Sequence, residues 1–421
     1  MQFTFHGAGR EVGRSCIELD NTFLFDAGLK ITEHGTEFPT NFDHTKIQAV
    51  LLSHAHLDHT GALPLFNHEG MKCPIFTTRM TKLMTQVLLE DSFHIELITH
   101  IHPAYHENNI FNVLKHFQDV NYDKEYSVPS ISGATFQFLD AGHIPGSASI
   151  LLKYKGKNIL YTGDVNQQTT LLLEGAHYAL KNVDVMITES TYGDRGHPDR
   201  KQTEQRFISI IEEVLNAGGS VLLPSFAVGR AQELLILLSQ SKLECPIYLD
   251  GMAKKVMDIC ISNQMFVRDA AALRRAQKRV RYITSPMDRK KVLQENCIII
   301  TTSGMVTGGP VMDYLKMMFF EPKHALLLTG YQGDGTNGRL LLQEKAAFVD
   351  GKKVRWEGRI EQFDFSAHAG QPDLIGAVQR IRPTHLIINH GDEIAMETLA
   401  QQVKGFAKKI YMPQVDETVE I

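Results

Sequence analysis

Four side chains of the kind that bind metal ions lie within six residues of one another. His54, His56, Asp58 and His59 directly follow an apolar run, 49–52, that is typical of a buried strand. We expect a loop where this strand ends, in which neighbouring side chains converge instead of alternating between two faces. Imidazole and carboxylate ligands suit zinc and related ions, and a carboxylate among them favours a catalytic site. A polar loop with exposed histidines is the alternative, and it explains this density of ligand residues poorly.

The same format, an apolar strand that ends in a polar residue, recurs along the chain. The polar residues at the other ends are Asp26, His143, Asp164, Glu189 and His390. A single acidic residue at a strand end means little, since Asp and Asn commonly cap turns. Six such ends, with small residues beside them, are difficult to explain as independent turns.

Composition limits the class of protein. The chain has 421 residues, 43% hydrophobic and 22% charged, which predicts a soluble globular protein of two or three domains. No apolar run approaches the roughly 20 residues that span a bilayer, and the first residues form an alternating strand pattern, not a secretory leader. Five scattered cysteines without a CxxC pair indicate reduced thiols, so we expect a cytoplasmic protein without membrane partners.

The net charge of −5 provides no overall attraction to nucleic acid, so polyanion binding has to rest on local patches. The segment 268–291 is the candidate, with nine basic residues against Asp269 and Asp288. Runs of this kind are most often solvated helix faces.

The predicted pattern of secondary structure changes near residue 194. Before it, short strands and turns predict mainly antiparallel sheet, interrupted by a helical block at about 80–117. After it, strands alternate with helices, as in βαβ units with a parallel sheet. The tail after about residue 362 brings two further histidines, His368 and His390, which suggests that the middle block is an insertion.

These residues together resemble the β-CASP family of metallo-β-lactamase-fold nucleases, and the resemblance extends over the whole chain. Asp26 matches the first metallo-β-lactamase motif, 54–59 the second, His143 the third and Asp164 the fourth. The three β-CASP motifs match Glu189, His368 within the segment Asp-Phe-Ser-Ala-His (364–368), and His390. A histidine at the last of these positions favours the RNA-processing branch of the family over the DNA-directed branch.

The resemblance implies an α/β fold. We expect a four-layer αββα metallo-β-lactamase sandwich formed by residues 1–193 and 366–421. Residues 194–365 are expected to form an inserted β-CASP domain with a parallel sheet.

The resemblance also implies a site with two zinc ions, with Mn²⁺ as the alternative metal. One ion is expected on His54, His56 and His143, the other on Asp58, His59 and His390, with Asp164 between them. The residues expected to act in catalysis are Asp58, which also binds metal, His368 as general acid, Glu189 as the carboxylate that orients it, and Asp26 as a group that orients ligands.

Single-stranded RNA is the expected substrate and partner. Turns from strand to helix provide backbone N–H groups for phosphate, and arginine can hold phosphate oxygens with two hydrogen bonds. The expected substrate-binding residues are Ser225, Arg230, Ser303, Tyr331, Arg339 and Ser366.

The predicted function is zinc-dependent hydrolysis of RNA phosphodiester bonds, endonucleolytic and with 5′-to-3′ exonucleolytic cleavage as an additional activity. Two alternatives stay open. One is a DNA-directed nuclease of the same fold, and the other is an RNA-processing subunit that depends on a partner. A homodimer is the oligomer we consider beside the monomer.

Overall fold

The computed structural model describes residues 1–32, 35–99 and 102–421. They form two compact units. The first unit comprises Met1–Thr169, Glu174–Gly196 and Ala367–Ile421, and the second comprises Thr170–Leu173 and His197–Ser366. Among the described residues, none of the helices combines the length and the apolar character needed to cross a membrane.

Two seven-stranded sheets build the first unit. The strands of sheet one, in spatial order, are β24 (Thr418–Glu420), β1 (Gln2–Phe5), β2 (Ile17–Leu19), β3 (Phe23–Phe25), β6 (Ala49–Leu51), β7 (Ile75–Thr78) and β8 (Phe117–Val120). The strands of sheet two are β23 (Lys409–Tyr411), β22 (His385–Ile388), β13 (Val185–Thr188), β12 (Lys157–Tyr161), β11 (Ala148–Tyr154), β10 (Thr135–Asp140) and β9 (Glu125–Ser127). A hairpin of β4 (Lys30–Thr32) and β5 (Gly35–Glu37) lies outside these sheets.

Each of the two sheets is antiparallel in one half and parallel in the other. In sheet one, β1, β2, β3 and β24 pair antiparallel, whereas β3, β6, β7 and β8 pair parallel. In sheet two, β9 to β12 pair antiparallel, whereas β12, β13, β22 and β23 pair parallel. Among the described strands before residue 194, six pairs are antiparallel and four are parallel, so the expectation of mainly antiparallel sheet is confirmed there. The parallel pairs were not expected, because hairpins have local sequence signals and parallel partners are distant in the chain.

Alternating side chains place the apolar cores on both sides of each sheet. Phe23 and Phe25 of β3 pack between the two sheets, whereas Leu24 packs on the outer face of sheet one. The outer faces carry helices: Leu63 of helix α2 (Leu63–His68) packs with Leu24, and Leu374 of helix α12 (Gln371–Ile381) packs against sheet two. This helix–sheet–sheet–helix order is the predicted αββα sandwich.

The described residues of the first unit form six α-helices: α1 (Leu57–Thr60), α2 (Leu63–His68), α3 (Arg79–Ile98), α4 (Glu107–Leu114), α12 (Gln371–Ile381) and α13 (Glu393–Gln402). The helical block expected at about 80–117 is two helices, α3 and α4, followed by strand β8, which begins at Phe117. Thr78 caps α3 by accepting a hydrogen bond from the backbone N–H of Thr81.

The second unit has one sheet in which all pairs are parallel. Its strands, in spatial order, are β16 (Val280–Tyr282), β15 (Ile247–Leu249), β17 (Ile298–Thr301), β14 (Val221–Pro224), β18 (Ala325–Leu328) and β21 (Arg359–Gln362). Its helices are α5 (Arg200–Asn216), α6 (Arg230–Gln240), α7 (Ala253–Ser262), α8 (Ala270–Arg279), α9 (Pro286–Val292), α10 (Val311–Met318) and α11 (Asn337–Glu344), and β19 (Ala346–Val349) pairs with β20 (Lys352–Arg355) as a hairpin. The expected parallel βαβ sheet is confirmed.

Gly28, just after β3, makes a close approach that only glycine allows. A Cβ added there would lie 1.7 Å from the carbonyl oxygen of Asp58, whereas one added at Gly376 within α12 would meet only the flexible end of Arg380. We expect Gly28→Ala to lower the thermal midpoint of unfolding, because overpacking against backbone costs about 1–3 kcal/mol or more. Gly376→Ala, the matched control, should raise stability by up to about 1 kcal/mol through helix propensity. Differential scanning calorimetry checks both, and equal midpoints for Gly28→Ala and wild type would contradict the packing.

Candidate metal centre

Five of the six polar strand ends of the first unit lie on parallel strands, whereas His143 follows β10, which pairs antiparallel with β9 and β11. Asp26 follows β3 and His54 follows β6, its parallel partner in sheet one. In sheet two, Asp164, Glu189 and His390 follow β12, β13 and β22, which are adjacent and parallel. The carboxyl ends of parallel strands lie at one edge of a sheet, so these side chains converge.

One local expectation is wrong. The segment after β6 is not a loop throughout, because Asp58 and His59 belong to the one-turn helix α1. The hydroxyl of Thr60 donates to the carbonyl oxygens of Ala55 and His56, which closes this turn. A single helical turn brings side chains to one side as effectively as a loop, so the expected convergence still occurs.

His54, His56 and His143 form a first group of ligand-type nitrogens around one oxygen of Asp164. The Nε2 atoms of His54 and His143 lie 3.6 and 3.7 Å from Oδ2 of Asp164. Nε2 of His143 also lies 3.2 Å from Nδ1 of His56. The candidate ligand atoms of these four residues all lie within 4.8 Å of one another, which is a spacing that a metal ion can fill.

A second group surrounds the other oxygen of the same carboxylate. Oδ1 of Asp164 lies 3.4 Å from Nε2 of His59 and 3.2 Å from Nδ1 of His390. Oδ2 of Asp58 lies 3.5 Å from Nε2 of His390. Asp58, His59, Asp164 and His390 again fall within the spacing of a metal site.

Buried atoms without partners support a bound cation. Nε2 of His54, Nε2 of His59 and Oδ1 of Asp164 are buried and make no hydrogen bond. A buried polar atom left unsatisfied costs about 1–3 kcal/mol, so these three atoms, which are divided between the two groups, require a partner. The donor set of imidazoles and carboxylates fits divalent metals, and the described residues therefore form a His/Asp cluster that can hold metal.

A further acid and histidine lie beside the two groups. Nδ1 of His368 lies 2.9 and 3.1 Å from the two carboxylate oxygens of Glu189, while its Nε2 lies 3.9 Å from Oδ2 of Asp164. Glu189 is buried and also accepts a hydrogen bond of 2.6 Å from the backbone N–H of Val165. His368 thus presents its Nε2 towards the metal-type cluster and its Nδ1 towards a fixed carboxylate.

Charge and burial act in opposite directions on these histidines. Burial lowers the pKa of His54 well below its usual range, and the neighbouring His59 lowers it further. Burial also opposes protonation of His368, but the carboxylates of Glu189 and Asp164 outweigh it and raise the pKa of His368 to about 9. His54 is therefore a neutral ligand-type imidazole, whereas His368 carries a proton at neutral pH.

The expected substrate-binding residues all belong to the second unit, and their environments differ. Arg230 is buried and pairs with Glu233, whereas Arg339 is partly exposed, with its Nε 3.4 Å from Asp334. Tyr331 exposes about half of its surface (53%). Ser225 is buried, and its hydroxyl donates to the carbonyl oxygen of Phe226. The hydroxyls of Ser303 and Thr307 are hydrogen-bonded to each other. The backbone N–H of Ser366 donates to the carboxylate of Asp364.

Three residues of the site were missed from the sequence. Tyr161 and Ser53 donate hydrogen bonds to Asp26, and Gly13 directs its backbone N–H at Nε2 of His390 from 3.3 Å. The signal for Ser53 and Tyr161 was their place beside residues already singled out, since Ser53 precedes His54 and Tyr161 ends the strand before Asp164. Gly13 lies in the glycine-rich segment 7–13, and nothing in that segment's sequence indicates a contact with His390.

Comparisons with known proteins agree with this geometry. Residues 16–191 match the metallo-beta-lactamase superfamily domain, residues 231–341 the Beta-Casp domain, and residues 353–413 the Zn-dependent metallo-hydrolase RNA specificity domain. The chain is 38% identical to "Probable RNase MJ4" of Methanocaldococcus jannaschii, with all of both chains covered. It is 32% identical to "RNase aCSPSF2" of Saccharolobus solfataricus, with 94% of this chain and 80% of that protein covered.

A solved structure shares the fold. A protein of unknown function from Enterococcus faecalis V583 superposes with a TM-score of 0.61 at 14% identity, covering 100% of this chain and 99% of that one. The predicted fold class and the predicted class of enzyme, a metal-dependent hydrolase that cleaves RNA, are confirmed by these matches. The chain therefore belongs to the β-CASP family of metallo-β-lactamase-fold nucleases.

Proposed function

We propose that this chain cleaves single-stranded RNA at internal phosphodiester bonds with two zinc ions, and that 5′-to-3′ exonucleolytic cleavage is a second activity of the same site. The observation that carries the proposal is the placement of Asp164, whose two oxygens each face a separate group of imidazoles. One such carboxylate between two ligand groups is the arrangement that a two-ion site requires.

The residues divide into two ligand sets. His54, His56 and His143 would hold one ion, while Asp58, His59 and His390 would hold the other, with Asp164 shared. When bound, two divalent ions lower the pKa of water and neutralise the oxygens of the scissile phosphate. Zinc suits the mixed imidazole and carboxylate set, and Mn²⁺ is the alternative that the same donors accept.

His368 is the proposed general acid. Its Nε2 donates a proton to the sugar oxygen that leaves phosphorus, so that the leaving group departs as an alcohol. Glu189 accepts the Nδ1–H bond, which holds the ring in place and keeps it charged before transfer. Asp26 orients the ligands His59 and, through Ser53, His54.

The second unit is proposed to bind the RNA, and residues 194–365 are the proposed bounds of the inserted β-CASP domain. Tyr331 offers an exposed ring for stacking on a base, and Arg339 offers a partly exposed guanidinium for a backbone phosphate. Ser225, Ser303 and Ser366 are proposed to contact the RNA by their side chains, since their own backbone N–H groups donate to Thr301, Gly308 and Asp364. Arg230 is proposed to support them from its ion pair with Glu233.

We expect His368→Ala, loaded with zinc, to cleave internally labelled single-stranded RNA about 10²–10⁴ times more slowly than wild type, because a general acid contributes that factor. Single-turnover assays with 5′-labelled and 3′-labelled RNA and with matched DNA give the rate, the position of cleavage and the choice of nucleic acid.

The control is His94→Ala, which removes an exposed histidine of α3 whose Nδ1 bonds the carbonyl oxygen of Glu90. It should cleave at the wild-type rate. Full activity in His368→Ala would contradict the assigned acid. If wild type cleaves DNA but not RNA, the substrate is DNA and the proposed RNA substrate is wrong. If the zinc-loaded chain alone cleaves neither, it is a subunit that depends on a partner.

Only protonated His368 can act as acid, so the rate should fall as pH rises through the pKa of His368. Since Glu189 is the strongest influence raising that pKa, Glu189→Gln should move the alkaline limb of the single-turnover pH profile to lower pH. Glutamine keeps an oxygen that can accept from the N–H of Val165, so the local fold is retained. An alkaline limb that stays in place would contradict the coupling.

A further inference from the structure

A single buried carboxylate collects donors from three separate parts of the first unit. Asp26 is fully buried, and its Oδ2 lies 2.7 Å from Nδ1 of His59, 2.7 Å from Oγ of Ser53 and 2.6 Å from the Tyr161 hydroxyl. Its Oδ1 accepts a bond of 2.7 Å from the backbone N–H of Ser53. Four donors on one carboxylate fix both its position and its orientation.

The hydrogens in this network can be placed by counting. A carboxylate only accepts, and the Ser53 hydroxyl has one hydrogen, so the contact of Ser53 Oγ with Asp26 uses that hydrogen. The same Oγ lies 3.0 Å from Nδ1 of His54 and therefore accepts a hydrogen there. His54 is consequently protonated on Nδ1, and its Nε2, buried and without a partner, keeps a free lone pair.

His59 is also protonated on Nδ1, but by a direct hydrogen bond to Asp26 without a serine in between. Its Nδ1 donates to Asp26, and its Nε2 is buried and unpartnered. The two histidines belong to different ligand groups, His54 to the first and His59 to the second. One carboxylate thus sets the tautomer of one ligand histidine in each group.

Tyr161 completes the set of donors. Its ring packs in the core between the two sheets, and burial, with the nearby Asp26, raises the pKa of its phenol well above the usual range. It therefore stays a donor to Asp26 and accepts from the Ser15 hydroxyl 3.0 Å away. The network then contains no atom with two conflicting roles.

We propose that Ser53 is a positioning residue for this site: its hydroxyl relays the hold of Asp26 to His54, so that its loss weakens the first ion and spares the second. The inference rests on the proposed two-ion assignment. It goes beyond that assignment because it makes the affinity for the first ion, and not for the second, depend on the Ser53 hydroxyl. Groups that orient metal-binding histidines commonly contribute a factor of about 10–100 to metal affinity.

The test is a zinc titration of the full chain against a competing chelator. Ser53→Ala should bind one zinc ion about 10–100 times more weakly than wild type and the other within about threefold. The control is Ser149→Ala, which also removes a buried hydroxyl, one that donates to the carbonyl oxygen of Thr162 and touches no histidine. It should leave both affinities unchanged. Equal weakening of both ions in Ser53→Ala, or of neither, would overturn the relay.

A second measurement does not depend on a variant that folds. In zinc-loaded wild type with ¹⁵N-labelled histidine, the Nδ1 of His54 should carry a slowly exchanging proton coupled to nitrogen, and an unprotonated Nδ1 would overturn the proposal. The RNA assay separates this inference from the proposed function. If wild type cleaves no RNA but Ser53→Ala selectively loses one zinc ion, the proposed function is wrong and the role of Ser53 stands. If Ser53→Ala cleaves RNA fully and keeps both zinc affinities, only the role of Ser53 is wrong.

Discussion

The burial of one carboxylate among imidazoles is the constraint on which the first unit depends. Asp164 exposes only 2% of its surface, and its neighbours His54, His59 and His390 are equally buried. An isolated charge in such a place is expensive, so it must be paired or bound to metal. Burial would by itself raise the pKa of Asp164, yet the surrounding histidines, His390 first, lower it well below its usual range. The Asp164 carboxylate therefore stays charged, and the surrounding histidine rings direct nitrogen atoms towards it.

Parallel pairing in both sheets makes that arrangement possible. The carboxyl ends of β3 and β6 in sheet one, and of β12, β13 and β22 in sheet two, each supply one polar side chain or segment. The aromatic core between the sheets, with Phe25 and Tyr161 in contact at 5.2 Å between ring centres, holds these ends in place. Positions as different in sequence as 26 and 390 are brought together by sheet geometry, and short turns alone would not do this.

Much of the site could be predicted from the chain because metal-type residues at strand ends leave a local signal. His54 to His59, His143, Asp164 and His390 were singled out by residue type, and the structure places them in two adjoining groups. The alternation of strands and helices after about residue 194 was predicted too, and the structure confirms it with a parallel sheet and helices such as α6 and α10. Parallel pairing within the first unit was not foreseen, because it joins strands far apart in the chain, and the helix α1 was not foreseen because a single turn is too short to leave an apolar period.

The supporting network was the least predictable part. Ser53, just after β6, and Tyr161, at the end of β12, lie beside residues already singled out, but only their distances to Asp26 reveal what they do. The same holds for Arg230, which has the position of a phosphate ligand in sequence but is buried beside Glu233. Side chains whose role is to orient another side chain carry no signal of their own, so a structure is needed to find them.

The central claim is that Asp164 is shared by two metal ions, and the metal content of the purified chain tests it most directly. After loading with zinc and dialysis against metal-free buffer, elemental analysis should give about two zinc ions per wild-type chain. His56→Ala and His390→Ala, each lacking a ligand from a different group, should each retain about one. One ion or none in wild type, with the chain folded by circular dichroism, would contradict the account.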